Sequence, residues 1–488
     1  MAREQATLSG IRECTLQYDI YLEGANWNFI KPHISNIEVI DRQVGAREIR
    51  LTMNNHNEFI LNKYRNDFRE GNLIELDIGW NTTEQLVAAE IVEIEPIRED
   101  TNVVNVIAMD RTHRMMDSDN TTDPLTDSKN PLVEADEQML REPPPLQPRT
   151  FKGKRDDQIV REILTHYGFE VRNNTIDRSD IKMERVLNCG VSAFNFIQKL
   201  AVQNDCFFWV EYERIPNQLS SRETQITEDT FRPPAAHTGK WVAYFKSAEN
   251  VLSSTDRYGA VYRYFTDNSN NPLLSFSSSR ISRNMPSEIE VIGYDTKFQK
   301  VVRYSRLPTR RSSSPDTRLV GQSTAYSNTP ILSGTRGISQ SVIGGREVFV
   351  SIDEKNTKNI ALLMVSAFGR RVEIPVADRV FKSAEDADRF ASQYIRSRLN
   401  EFMTGQITVI GNPKLRAMQR HYIVGLSPEE NGYWDVFEAR HKIGDSGYGV
   451  IMEIRKAIDP TTLNQIESPA YGDPQEYTHK SFAISEVP

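Results

Sequence analysis

Eight histidines, three cysteines and 67 acidic side chains are the raw material for chemistry in this 488-residue sequence, and their spacing decides what each can do. His33, His56, His113, His166, His237, His421, His441 and His479 stand singly, with no HExxH and no two at helix-ligand spacing, so no metal site is signalled. Cys14, Cys189 and Cys206 are odd in number, far apart and without a CxxC pair. That pattern suits free thiols buried as small hydrophobes in a reducing compartment better than disulfides or zinc ligands. Asp117 and Asp119 begin something like a calcium loop, yet Thr121 and Thr122 stand where a ligand and the obligatory glycine belong, and Ser128 where the bidentate glutamate belongs. Gly190-Val191-Ser192-Ala193-Phe194 is one residue away from the GxSxG nucleophile elbow. No convincing buried strand precedes it, and Ser192 has an adequate role as the N-cap of the helix that follows. Paired carboxylates of the glycosidase kind would be spatial rather than sequential, and nothing in the sequence singles one pair out. Catalytic, cofactor-binding and metal-binding residues are therefore all read as none.

One charge feature remains. Between 296 and 320, Lys297, Lys300, Arg303, Arg306, Arg310, Arg311 and Arg318 face only Asp316. Such a run can meet phosphates or an acidic partner surface. The favoured reading is a solvated, Ser-rich loop, because its aromatic residues form no interleaved pattern that suggests base stacking.

The elements that must position these residues are mostly strands. Cys14, Leu16, Tyr18, Ile20 and Leu22 alternate with polar residues, and Ile74, Leu76, Ile78 and Trp80 alternate with Leu73, Glu75, Asp77 and Gly79. Further strands are expected at Ile34–Ile40, Glu48–Met53, Leu86–Glu95 and Val103–Met109, so residues 1–115 read as a small antiparallel barrel or sandwich. Residues 116–150 read as a linker or excursion: 117–142 carry eight acidic and two basic residues and run into Pro143-Pro144-Pro145.

From 151 to 237 the period changes. Ile159, Val160, Ile163, Leu164 and Tyr167 share a helical face ended by Gly168, and a second helix from Ser192 buries Phe194, Ile197, Leu200 and Ala201 before the apolar strand Cys206–Val210. This middle domain is α+β. Residues 238–457 return to strands (Trp241–Lys246, Ala260–Thr266, Glu288–Tyr294, Gln299–Ser305, Gly405–Gly411, His421–Leu426, Tyr433–Lys442, Tyr448–Lys456), with a loop insertion over 305–350 and a helix over 383–402. Residues 458–488 read as a polar tail ordered only against a partner.

Composition bounds the rest. About three domains are expected from the length. A net charge of −8 excludes a wholesale basic nucleic-acid binder, and the longest apolar run, Ile360–Val365, is far short of a membrane span. No apolar stretch follows Met1-Ala-Arg-Glu-Gln, so a secretory signal is not read there and synthesis in a cytoplasm is expected. The 38% hydrophobic fraction, about 43% with glycine, is slightly low for a globular chain and asks for long polar loops or backbone-rich interfaces.

Val186-Leu187-Asn188-Cys189-Gly190-Val191-Ser192-Ala193-Phe194-Asn195-Phe196-Ile197-Gln198-Lys199-Leu200-Ala201, followed by the aromatic strand at 207–210, resembles a segment of the phage late control D family. These are the baseplate hub proteins of contractile-tailed phages and the hub portion of type VI secretion spikes. A second match joins the 383–402 helix to Gly405-Gln406-Ile407-Thr408-Val409, Gly411-Asn412-Pro413-Lys414-Leu415, the strand His421–Leu426, and Tyr433-Trp434 leading to Ala439-Arg440-His441. The resemblance covers most of residues 10–457 and departs from the family at 117–150 and 305–350.

It implies a β-rich α+β fold of two tube-like antiparallel β-barrel domains, 1–115 and 238–457, joined by the α+β domain. It also implies a non-enzymatic homotrimer, in which six barrels form a pseudo-sixfold ring that adapts a hexameric tail tube to a trimeric central spike. The implied partners are the tube or tube-initiator protein, a separate spike protein near the C-terminal tail, wedge and other baseplate proteins, and the tape measure protein. DNA or cargo would pass through the lumen without specific binding, with no stable membrane insertion, in a virion tail baseplate assembled in the host cytoplasm. The contrasting expectations are a tail-associated cell-wall hydrolase using carboxylates or Ser192, and a nucleic-acid-binding module at 296–320.

Overall fold

In the computed structural model the described residues are 15–116, 149–216, 235–264, 272–280 and 403–457, with short interruptions. The strands at 288–295, 300–306, 318–320, 339–343, 346–350 and 372–373 are described as backbone, and Tyr394 is helical. The alternating segments fold as strands. They are β1 Leu16–Leu22, β2 Ala25–Asn26, β3 Ile34–Arg42, β4 Glu48–Asn54, β5 Leu73–Trp80, β6 Glu84–Arg98 and β7 Asn102–Met109. The middle segment holds β8 Arg149–Phe151, the helix Asp156–His166, β9 Arg185–Leu187, the helix Ala193–Gln203, β10 Cys206–Pro216 and β11 His237–Ser247. After a short helix, Ala248–Ser253, come β12 Val261–Arg263, β13 Leu273–Arg280, β14 Glu288–Asp295, β15 Lys300–Arg306, β16 Arg318–Val320, β17 Ser339–Ile343, β18 Arg346–Val350 and β19 Val372–Glu373. The chain closes on β20 Met403–Ile410, β21 Arg420–Val424, β22 Gly432–Gly444 and β23 Gly447–Lys456.

The two β-rich ends of the sequence do not stand apart. They build one 13-stranded sheet with the path β13-β20-β23-β22-β3-β4-β7-β6-β5-β1-β2, to which β21 and β12 attach beside β22. That path is open, and among the described residues no closed barrel is formed. The join is the antiparallel pairing of β22 with β3, from Glu438 opposite Arg42 to Ile443 opposite Ile37. Period-two alternation sorts this seam by face. Ala439, His441 and Ile443 meet Asp41, Val39 and Ile37 on the buried side. On the outer side Arg42 Nε lies 3.3 Å from Glu438 Oε2 and Lys442 Nζ 3.6 Å from Glu38 Oε1, so opposite charges sit directly across the strands. One apolar core then runs through both ends, from Ile20, Ile37 and Ile74 to Ile407, Trp434 and Ile454.

The middle segment has its own core. Ile159, Val160, Ile163 and Leu164 of the first helix pack with Phe194, Ile197 and Leu200 of the second and with Phe208, Val210, Ala243 and Phe245 of the β10–β11 hairpin. Gly168 ends the first helix at φ +73°, the left-handed conformation expected of it.

Several expectations change. The 305–350 stretch, read as a loop, contains β16 and the β17–β18 hairpin, and β15 is flanked by β14 and β16 in a four-stranded sheet with β19. Strand β13, with its Leu273-Leu274-Ser275-Phe276-Ser277-Ser278-Ser279 sequence, was not expected; serine is a weak strand signal, and backbone pairing with β20 makes it one. The expected 383–402 helix, the 117–148 part of the excursion and the 458–488 tail lie outside the described residues, Tyr394 apart.

Removing side-chain bulk at the seam tests its weight. Ile37→Ala is expected to cost about 2–5 kcal/mol, the range for a buried large-to-small change, read as a lower urea midpoint with the m-value unchanged.

Candidate functional site

Several of the chemistry-bearing residues picked out in the sequence have structural partners where they are described. Ser192 is buried, and its hydroxyl accepts a hydrogen bond from the Asn195 amide at 3.2 Å, which is the N-cap geometry. Burial pushes the partly buried Cys206 thiol up to about 12, the setting of an inert thiol. Cys14, Cys189, the Asp117–Ser128 pattern and His479 lie outside the described residues. Among the described residues no three of His, Cys, Asp and Glu gather as metal ligands. Of the basic run, Lys300, Arg303 and Arg306 fall on β15 and Arg318 on β16, while Lys297, Arg310 and Arg311 lie outside the described residues. Among those residues no helix is long and apolar enough to cross a membrane.

Two groups of ionisable side chains lie at the joints between the segments. The first joint is made by the Gly411–Gln419 loop between β20 and β21. Trp80 donates from Nε1 to the Gly411 carbonyl at 2.8 Å, and a side chain at position 411 would run into the Tyr448 ring, its Cβ only 2.1 Å away. Only glycine fits there. Further along, the Ala417 amide donates to Asp41 Oδ2 at 3.3 Å, Arg47 Nε to Asp41 Oδ1 at 2.8 Å, and the Arg416 guanidinium to the Gln85 carbonyl at 3.1 Å.

Two guanidinium groups and two carboxylates are thus enclosed together. Burial opposes the Arg47 charge, but Asp41, Glu211 and Asp110 hold it above its usual range; burial pulls Arg416 down and Arg47 beside it adds to the effect. Burial also raises Asp110, although Thr112 and the Arg47 amide donate to it. His441 completes the joint, with Nε2 2.9 Å from the Leu415 carbonyl and Nδ1 2.8 Å from the Tyr448 hydroxyl.

The second joint docks the β10–β11 hairpin on the outer face of β5. Along one hairpin face, Phe208, Val210 and Tyr212 pair across with Phe245, Ala243 and Trp241 and continue the middle core. The same face ends in Arg214 and His237. Arg214 grips both Asp77 oxygens at 2.6 Å and donates from Nε to Glu75 at 2.6 Å, and His237 Nε2 lies 2.9 Å from Glu75. Glu75 and Asp77 are buried, although their alternation with Ile74, Leu76 and Ile78 places them on the polar face of β5. The opposite hairpin face stacks Trp209 on Tyr244, and Trp209 packs with Val251, Ala417 and Met418 of the first joint.

The sequence signals missed both joints. Arg214, Asp41 and Arg416 carry no motif, and only the Asp/Glu alternation in β5 hinted at a face needing cationic cover.

No protein-family model and no curated protein sequence matches the chain. The chain shares its fold with the tail protein from Neisseria meningitidis MC58, at a TM-score of 0.51 and 8% identity over 90% of this chain and 96% of that one. The prophage MuSo2 43 kDa tail protein from Shewanella oneidensis gives a TM-score of 0.49 at 12% identity, covering 92% and 99% of the two chains. The E. coli c3393 protein, a component of the type VI secretion system similar in structure to T4 bacteriophage tail proteins gp27 and gp5, gives 0.39 at 7% identity over 91% of this chain and 80% of that chain. The fold shared with a tail protein agrees with the group the sequence resemblance points to.

Burial holds His421 and His441 down to about 3, with Arg416 adding to the effect at His441. A folded-state value below the unfolded one of about 6.5 means the unfolded chain takes up protons first, so stability is full above pH 6.5 and is lost as pH falls toward 3. Each histidine is expected to cost about 2 kcal/mol between pH 7 and pH 5. Urea unfolding at the two pH values reads the loss, and His421→Gln with His441→Gln is expected to flatten it. Ser192→Ala is expected to cost about 1 kcal/mol, the ordinary value of an N-cap, by the same measurement.

Proposed function

We propose that this chain is the structural baseplate hub of a contractile phage tail or a phage-like injection system and has no catalysis of its own. Three copies assemble into a ring, and the strand groups of 1–115 and 238–457 act as its two tube-like units per subunit. Six similar units face a hexameric tail tube, and the α+β segments face a trimeric central spike carried on a separate chain. The ring is then a symmetry adaptor with a channel through which DNA or cargo passes without being held.

What supports this reading above all is the single, mostly antiparallel sheet built from both ends of the chain, in the fold shared with a tail protein along nine-tenths of both chains. Adding subunits strand by strand uses backbone hydrogen bonds in place of a greasy patch, which accounts for the low apolar fraction. The partners of this reading are the tube or tube-initiator protein, the spike, wedge and other baseplate proteins, and the tape measure protein. Its place is the tail baseplate of a virion, assembled in the host cytoplasm.

Light scattering on the purified chain is expected to give about three times the 55.9 kDa chain mass, with ring-shaped particles and a central channel in electron micrographs. A clean monomer that joins neither tube nor spike protein contradicts it. So does clearing of peptidoglycan in a zymogram that is lost on Ser192→Ala.

A further inference from the structure

The ionic joint between β5 and the hairpin sits where it controls an angle. Arg214 pairs with Gly239 and Pro216 with His237, so the cluster lies at the end of the hairpin away from Phe208 and Phe245, where the helices pack. Six residues separate Phe208 from Arg214, about 20 Å of extended chain at about 3.3 Å per residue. With that lever arm, a 1 Å displacement at Arg214 turns the hairpin by about 3°.

The contacts there are directional. A planar guanidinium engages Asp77 with two donors and Glu75 with a third, and His237 meets Glu75 from the side, edge-on to the Tyr21 ring at 5.1 Å. The Arg214 guanidinium also lies over the same Tyr21 ring, 4.7 Å from its centroid. Backbone approach reinforces the fit: the Ala236 amide donates to the Gly24 carbonyl at 2.8 Å, and a Cβ on Gly24 would lie 2.0 Å from the His237 carbonyl. Apolar attachment is supplied separately by Met115 and by Ala88, the cross-strand partner of Glu75, which join the middle core. Enclosed ion pairs contribute little net stability after desolvation, whereas removal of one partner alone is costly.

We infer that the Glu75–Asp77–Arg214–His237 cluster is an orientation latch: it fixes the angle of the middle α+β segment on the N-terminal strands, while the apolar core supplies the attachment. This inference stands independently of the hub reading.

The test uses the full chain with spin labels on unnatural residues at Val44 and Val202, both well exposed and one on each side of the joint. The variant Glu75→Gln/Asp77→Asn/Arg214→Met removes the charges together and leaves no enclosed charge without a partner. Its inter-label distance distribution is expected to at least double in width, with a melting temperature close to that of the parent, while Arg214→Met alone is expected to melt markedly lower than the triple variant. A distribution as narrow as the parent's overturns the inference. So does a triple variant that melts as low as Arg214→Met, because the cluster would then be holding the segment on rather than aiming it.

Discussion

Six residue pairs between β3 and β22 bring together strands whose facing residues Arg42 and Glu438 are 396 positions apart, and most of the architecture follows from that seam. Without it the N-terminal strands end at the edge of β3 and the C-terminal strands at the edge of β22, each presenting unpaired backbone groups. With it, one core runs from Ile20 to Ile454. Closing so long a loop costs only slowly more entropy with length, so the pairing is thermodynamically accessible; its kinetic consequence is a high contact order and slow folding. The seam also explains the burial of Asp41. It faces inward from β3, and the Gly411–Gln419 loop delivers Arg416 and the Ala417 amide to a place where Arg47 is already paired with it.

The middle segment is held by a different balance. Its helices and hairpin share a core with Ala88 and Met115, which is ordinary apolar attachment, whereas Glu75 and Asp77 are carboxylates that a neighbouring element has removed from water. Enclosing two carboxylates is unfavourable unless every oxygen is matched, and Arg214 with His237 supplies the match. A polar strand face covered in this way specifies one docking geometry, which suits a protein whose proposed work is to present segments at fixed angles to its neighbours.

Much of the strand content was legible because alternation is local. Leu16–Leu22, Leu73–Trp80 and Gly447–Lys456 all appear in the side-chain pattern, and both middle helices were marked by their stripes and by Ser192 and Gly168. Strand order was not legible, because nothing in the composition of β3 or β22 says that one must find the other. The acids of β5 were misleading for a related reason: alternation separates two faces but does not say whether the polar face meets water or another element. The short 3₁₀ turns at Asn28–His33 and Arg111–Met115 escaped because single turns leave no periodic trace, and β13 escaped because its serines carry almost no strand preference. The residues of the two joints, Arg47, Arg214 and Arg416, are isolated in sequence and meaningful only once the sheet has formed.

The central claim is that the two ends of the chain form one cooperative sheet through β3 and β22. Native-state hydrogen exchange tests it most directly, by comparing the opening free energies of amides in the two strands as denaturant is added. The account predicts that Ile37–Asp41 and Ala439–Ile443 open together, with one free energy and one denaturant dependence. Exchange of Ala439–Ile443 through an opening that leaves Ile37–Asp41 protected would contradict it.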